Sequence, residues 1–422
     1  MLENDMQAAV PSSTWQTRLA ALGPGIMMAS AAIGGSHIVS SAQAGALFGW
    51  QLAGLILLTN LLKYPFFRFG PQYTMESGQS LVEGYARKGR GYLWVFFILC
   101  AVSSVISTAG VGLLSAVILN SMLPAGFALS GPVMASVMML VVWVLLVAGH
   151  YKALDGITKL IVIGLTVATV AATFIAASKG SNMVPGFVEP SPWNLATLPF
   201  LVALVGWMPA PIEISAINSM WIKAKQKISP ANYADTIFDF NVGYVTSAVL
   251  AIFFVAMGAL VQYGNGEKLE PASAAYISQL VQMYGSTIGE WSKPVIAFIA
   301  FMCMFGTTIT VVDGYARASG EALRLLRGDP ELKTRDISLW ITGISVIGLA
   351  IILLMQNQLA GLLKFAMTSA FVTAPIFAWL NLSLVSGERH LSGTLRALAY
   401  AGLAFLVGFT LLFLANLLGL LG

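Results

Sequence analysis

Ala31-Ala32-Ile33-Gly34-Gly35-Ser36-His37 places two adjacent glycines and a serine in the middle of an otherwise strong apolar helix, a composition that favours unwinding. A second stretch answers it later in the chain. In Gly206-Trp207-Met208-Pro209-Ala210-Pro211, two prolines each remove an amide donor and clash with preceding carbonyls, so a continuous helix is not expected there either.

Around these two stretches the chain is overwhelmingly apolar. Its 422 residues are 57% hydrophobic and 9% charged, a balance that excludes a soluble globular class. Long unbroken runs such as Val133 to Gly149 and Ile337 to Leu354 fit helices of about 20 residues crossing a bilayer. Membrane β-strands would instead show short alternating segments. Runs bounded by charge, Gly and Pro give about eleven transmembrane helices in an all-α membrane protein, over 20–50 and 194–222 (each with a break), 51–69, 92–122, 130–149, 156–177, 236–263, 292–324, 336–356, 358–384 and 393–420. The segment 273–283 reads as a short amphipathic helix lying at the surface.

The charges mark topology rather than a nucleic-acid partner. With the N-terminus inside, Arg18, Arg68, Arg87, Lys88, Arg90, Lys223, Lys225, Lys227, Arg317, Arg324, Arg327, Lys333, Arg335, Arg389 and Arg396, with Lys152 and Lys159, fall on the cytoplasmic side. Lys179, Lys268 and Lys293 fall outside. The expected location is a bacterial-type inner (plasma) membrane, multi-pass, with the lipid bilayer as partner and the oligomeric state, a monomer included, left open. The first residues lack the basic start and cleavage site of a signal peptide. Cys100 and Cys303 both lie in apolar runs, so neither a disulfide framework nor a zinc motif is expected.

The two interrupted spans are the first and the sixth, five apart, the spacing of a five-plus-five inverted repeat whose halves each open on a discontinuous helix. We therefore expect a tail at 1–18, a first repeat at 19–180, a second at 190–385 and an extra span at 393–420. Backbone groups freed at such breaks survive in a membrane only where they line a cavity or hold a ligand. That places a substrate site between Gly34, Gly35, Ser36 and His37 on one side and Val205, Trp207 and Met208 on the other. Either break alone is as well explained by a simple kink.

Beyond the breaks, Gly23-Pro24-Gly25, Gln43-Ala44-Gly45-Ala46 with Phe48-Gly49, Met208-Pro209, and Gly306-Thr307-Thr308-Ile309-Thr310 with Ala316 carry a resemblance over nearly the whole chain. The sequence resembles the natural resistance-associated macrophage protein (Nramp) family of divalent-metal transporters. That resemblance implies the fold of the leucine transporter and secondary transport of a metal ion, with no cofactor other than the transported ion. It also shows where this chain departs. The family's Asp-Pro-Gly-Asn signature falls on Gly34-Gly35-Ser36-His37, so its metal-ligating carboxylate is Gly34 here and its ligating Asn is His37. Its Met-Pro-His becomes Met208-Pro209-Ala210, a later histidine is Ser215, and its third-span acidic pair falls on Thr108 and Val111.

Two cargo classes follow. His37, Met208 and two backbone carbonyls would form a soft set for a metal cation. Alternatively, the amides of Gly34-Gly35-Ser36 at the start of a half-helix would receive the carboxylate of an amino acid or organic anion. The whole-chain resemblance favours the metal. Glu213, in the sixth span, is a functional or proton-coupling candidate because a carboxylate at membrane depth is costly without a role. His37 and Asp313 are weaker coupling candidates, and Asp239 and Asp313 are as well explained by pairing with Lys225 or Arg317 near the cytoplasmic face. Lys63 is expected to snorkel inward and Lys364 to snorkel or face the bundle. An enzyme is disfavoured because Ser36 and His37 have no orienting acid in sequence reach. A channel is disfavoured because no filter or charge ring appears.

Overall fold

The protein is described here by a computed structural model covering residues 13–124, 126–149, 151–180, 183–271, 273–355, 357–385 and 391–421, with the side chains of 151–162 left aside. The inferred charges at Arg389, Lys152 and Lys159 fall outside what is described. Nearly all of it is helical.

The first span is built from Pro24–Ala32, a π-helical turn Ser36–Ser41, and Ala42–Phe48. The second is Ala53–Ser77, which runs eight residues past the expected end at 69 with Pro65 and Pro71 inside the helix. The third is Arg90–Met122, the fourth Gly131–Val147 and the fifth Tyr151–Lys179. The sixth is Leu198–Trp207 followed by Ile214–Ile228, and the seventh is Tyr233–Met257 continuing through a π turn, Gly258–Gln262. Ser292–Arg327, Thr334–Met355, Leu359–Val385 and Gly393–Leu417 complete the series. Among the described residues, six of these helices are long and apolar enough by themselves to cross a membrane, and Gly131–Val147 and Leu198–Trp207 are apolar but shorter.

Three helices lie outside the spans. Trp15–Ala21 occupies part of the expected N-terminal tail. Leu81–Lys88 joins the second and third spans; its start is fixed by a reciprocal cap, Ser80 accepting the Glu83 amide while Glu83 accepts the Ser80 amide. Glu83 also pairs with Lys223 at 2.5 Å. The expected surface helix is Ala274–Ile288, capped by the Ser273 hydroxyl. It covers the bundle from outside the span series, burying Tyr276, Ile277 and Leu280.

The third and eighth spans form the most extensive helix pair, and the first half of the sixth packs on the tenth. The first span rides on the seventh through glycines at both ends. A Cβ at Gly25 would fall 2.1 Å from the Asp239 carbonyl oxygen, and one at Gly45 would fall 2.0 Å from that of Val255. Gly243 and Gly258 answer from the seventh span, where an added Cβ would fall 2.0 Å from the Gly25 carbonyl oxygen and 2.2 Å from that of Ala42. Small residues let the two backbones touch, the usual basis of close helix packing where lipid offers no hydrophobic drive. Asp239 fixes the entry to the first span by accepting the amides of Gly23 (2.9 Å) and Gly25 (2.7 Å).

Candidate substrate site at the two helix breaks

The first span loses its helical ladder at Ile33 and Gly34, and the carbonyls released there are taken up by neighbours. Cys303 Sγ donates to the Ile33 carbonyl (2.9 Å) and Thr307 to Ser30 (3.2 Å), while the Ser36 hydroxyl lies 2.7 Å from the Ala32 carbonyl. The eighth span thus supplies the partners that the glycines cannot. Tyr276 of the helix Ala274–Ile288 donates to the Ile38 and Val39 carbonyls at 2.9 and 3.3 Å, bracing the π turn. The sixth span is non-helical from Met208 to Glu213, with a cis Met208–Pro209 bond. The two breaks expected from the sequence are therefore both present and face each other.

Between them lies a cavity of about 30 Å³. Gly35 and Ser36 line it from the first span, Ser107 and Val111 from the third, Trp207, Pro209 and Pro211 from the sixth, and Thr307 and Tyr315 from the eighth. A water needs roughly 10–15 Å³ on this measure, so the space suits an ion with a water or two. Trp207 lies across the break: a Cβ on Gly35 would meet its ring at 2.9 Å, and its buried indole N–H has no acceptor among the described residues. Gly34 turns instead to the eighth span, where a Cβ would sit 3.0 Å from Thr307 Oγ1.

Three expected ligands are not in the cavity wall. His37 is fully buried; its Nε2–H donates to the Ser247 carbonyl at 2.9 Å and its Nδ1 lies 2.7 Å from the Ser36 hydroxyl, so both ring nitrogens are engaged. Met208 packs in an apolar cluster with Leu52, Leu201, Leu204 and Val255. The Val205 carbonyl is already held, at 2.8 Å, by Lys63 Nζ. The reasons are local: the π turn rotates His37 toward the seventh span, and the break carbonyls are claimed from the second. Among the described residues no three His, Cys, Asp or Glu side chains come together as a metal-holding group.

Glu213 is 1% exposed and precedes the second half of the sixth span. It accepts a hydrogen bond from Tyr315 (2.9 Å), whose phenol is in turn bonded to Ser107. Sequence reasoning found Glu213 but missed Tyr315, which joins it to the cavity and carries no motif of its own. Asp313 pairs with Arg317 at 2.8 Å, the structural role anticipated for it. Lys63 does not snorkel: it is completely buried and points at the sixth-span break. Lys364 is exposed and lines an outer recess with Glu270 and Gln43.

The natural resistance-associated macrophage protein-like family matches this sequence over residues 25–421. The chain belongs to that family. The Nramp-like chain is 52% identical over 419 residues, 98% of its own length and 96% of the relative's, to the uncharacterized protein PM0681 of Pasteurella multocida (strain Pm70). In fold it is similar to the Eremococcus coleocola manganese transporter, with a TM-score of 0.73 at 14% identity, covering 98% of this chain and 90% of that one. It is also similar to a nucleobase-cation-symport-1 family transporter (TM-score 0.63, 16% identity, 94% and 90% covered). MhsT in complex with L-phenylalanine gives a TM-score of 0.63 at 11% identity, covering 96% and 99%. The Nramp-like chain thus has the leucine-transporter-like architecture with broken first and sixth helices, and it is a multi-pass secondary transporter, not an enzyme.

Proposed function

We propose that this protein carries a metal cation across the inner membrane by alternating access, with the N-terminus cytoplasmic. The first and sixth spans rock against the third, fourth, eighth and ninth. The observation that carries this reading is the small cavity where the two breaks meet. Family membership and the fold shared with a manganese transporter support a metal as cargo. Gly35, Ser36 and Trp207 are the cargo-facing members of the expected set. Ser36, Ser107, Thr307 and Tyr315 offer the oxygen atoms, with Glu213 behind Tyr315 as the nearby negative charge.

One observation favours a second cargo, an amino acid or organic anion. The Lys63 ammonium sits on the Val205 carbonyl, and a fixed positive charge there repels a divalent ion and attracts an anion. The unpaired Trp207 N–H would likewise be satisfied by an acceptor on the cargo.

Uptake by the purified protein in proteoliposomes decides between them. Manganese uptake that a chelator abolishes is the expected result. Uptake of an organic acid unaffected by chelator, with none of manganese, would reject the metal reading.

A further inference from the structure

Lys63 lies in the second span, between Leu62 and Tyr64, and no part of it reaches the surface. A buried ammonium without partners is prohibitively expensive in a membrane protein. Here its three N–H donors face three carbonyl oxygens, those of Val205 (2.8 Å), Gly206 (3.0 Å) and Ala210 (3.5 Å). Val205 and Gly206 belong to the last turn of Leu198–Trp207, where orphaned carbonyls and the negative end of the helix dipole coincide. Ala210 lies within the non-helical stretch, so one side chain ties the end of the first half-helix to the break itself. Unwound carbonyls at such a break are where discontinuous-helix carriers coordinate inorganic cations.

We propose that Lys63 is a tethered cation: its ammonium occupies the carbonyl cradle of the sixth-span break in place of an inorganic ion, so that the break is held in shape without sodium, potassium or a metal bound there. The inference rests on the carrier reading only for its consequence, that cargo loading needs no separate cation at these carbonyls. A merely structural lysine would also be missed if removed, but its loss would not create a site that responds to added cations.

The test is the melting temperature of the purified full-length protein, wild type and variants, in sodium, potassium, ethylammonium and choline chlorides at equal ionic strength. Wild type should melt alike in all four. Lys63→Ala should lose on the order of 5 °C in choline, since an emptied cradle leaves the buried carbonyls of Val205, Gly206 and Ala210 without their donor. It should regain much of that, saturably, in sodium or ethylammonium. Lys63→Met, which fills the space without charge, should be destabilised and should not respond. If Lys63→Ala does not accumulate, Lys63→Ser, also short and uncharged, should show the same cation response. A wild type that responds to sodium, or vacated variants that ignore sodium and ethylammonium alike, would overturn the proposal. A wild type that shows no manganese uptake would instead count against the metal cargo and leave these arms untouched.

Discussion

Replacing Tyr315 with Phe removes one hydroxyl and nothing else, and the structure says what that hydroxyl does. It donates to Glu213 at 2.9 Å, and both side chains are essentially sealed from solvent, at 0% and 1% exposure. A hydrogen bond to a charged acceptor contributes about 1.5–3 kcal/mol. Tyr315→Phe should therefore destabilise the protein by about that amount. With Glu213→Gln already in place the acceptor is neutral, so the same change should cost about 0.5–1.5 kcal/mol. The assay is a double-mutant cycle on the melting or denaturant midpoint of the purified protein, read as the coupling between the two positions. Additive effects, with coupling below about 0.5 kcal/mol, would refute the placement of Tyr315 as the link between Glu213 and the cavity.

Glu213→Gln should also flatten the pH dependence of uptake in proteoliposomes; an unchanged profile would remove Glu213 as the proton carrier. Gly25→Val should destabilise by roughly 1–3 kcal/mol or more, because its Cβ has only 2.1 Å to the Asp239 carbonyl oxygen; a melting temperature equal to wild type would contradict the close packing of the first and seventh spans. Burial pulls the Glu83 carboxyl upward, but the contacts with Lys223 and the Ser80 amide outweigh it and hold it below the usual carboxylate range. A depressed folded value means the contribution is complete above the unfolded value of about 4.3 and is lost as pH falls through the folded one. The stability gap between wild type and Glu83→Gln should therefore close on acidification below about pH 4, and a gap that widens there would reverse the sign.

The breaks were legible in the sequence because glycine pairs and prolines act on the backbone directly, whatever surrounds them. Their spacing was enough to point to a helical membrane fold with broken first and sixth spans. The fate of the released carbonyls was not legible. Cys303, Thr307 and Tyr276 reach them across distances in sequence of more than two hundred residues, and nothing in a lone threonine or tyrosine marks it for that task. Lys63 shows the same limit from the charged side, since an apolar run with one lysine reads alike whether the ammonium turns to the headgroups or into the bundle. His37 was correctly placed at the break, but the π turn that directs its ring to Ser247 depends on tertiary packing. The Ser80 to Glu83 cap, by contrast, is a local signal written plainly in Ser-Leu-Val-Glu.

The central claim is that cargo sits in the cavity where the broken helices meet, and ligand-dependent melting of wild type beside Gly35→Val tests it most directly. The added side chain would press on Trp207 and fill the cavity. Manganese at about 100 times its dissociation constant should stabilise wild type by about 2.7 kcal/mol and leave Gly35→Val unmoved. Equal stabilisation of both proteins would place the cargo elsewhere and contradict the account.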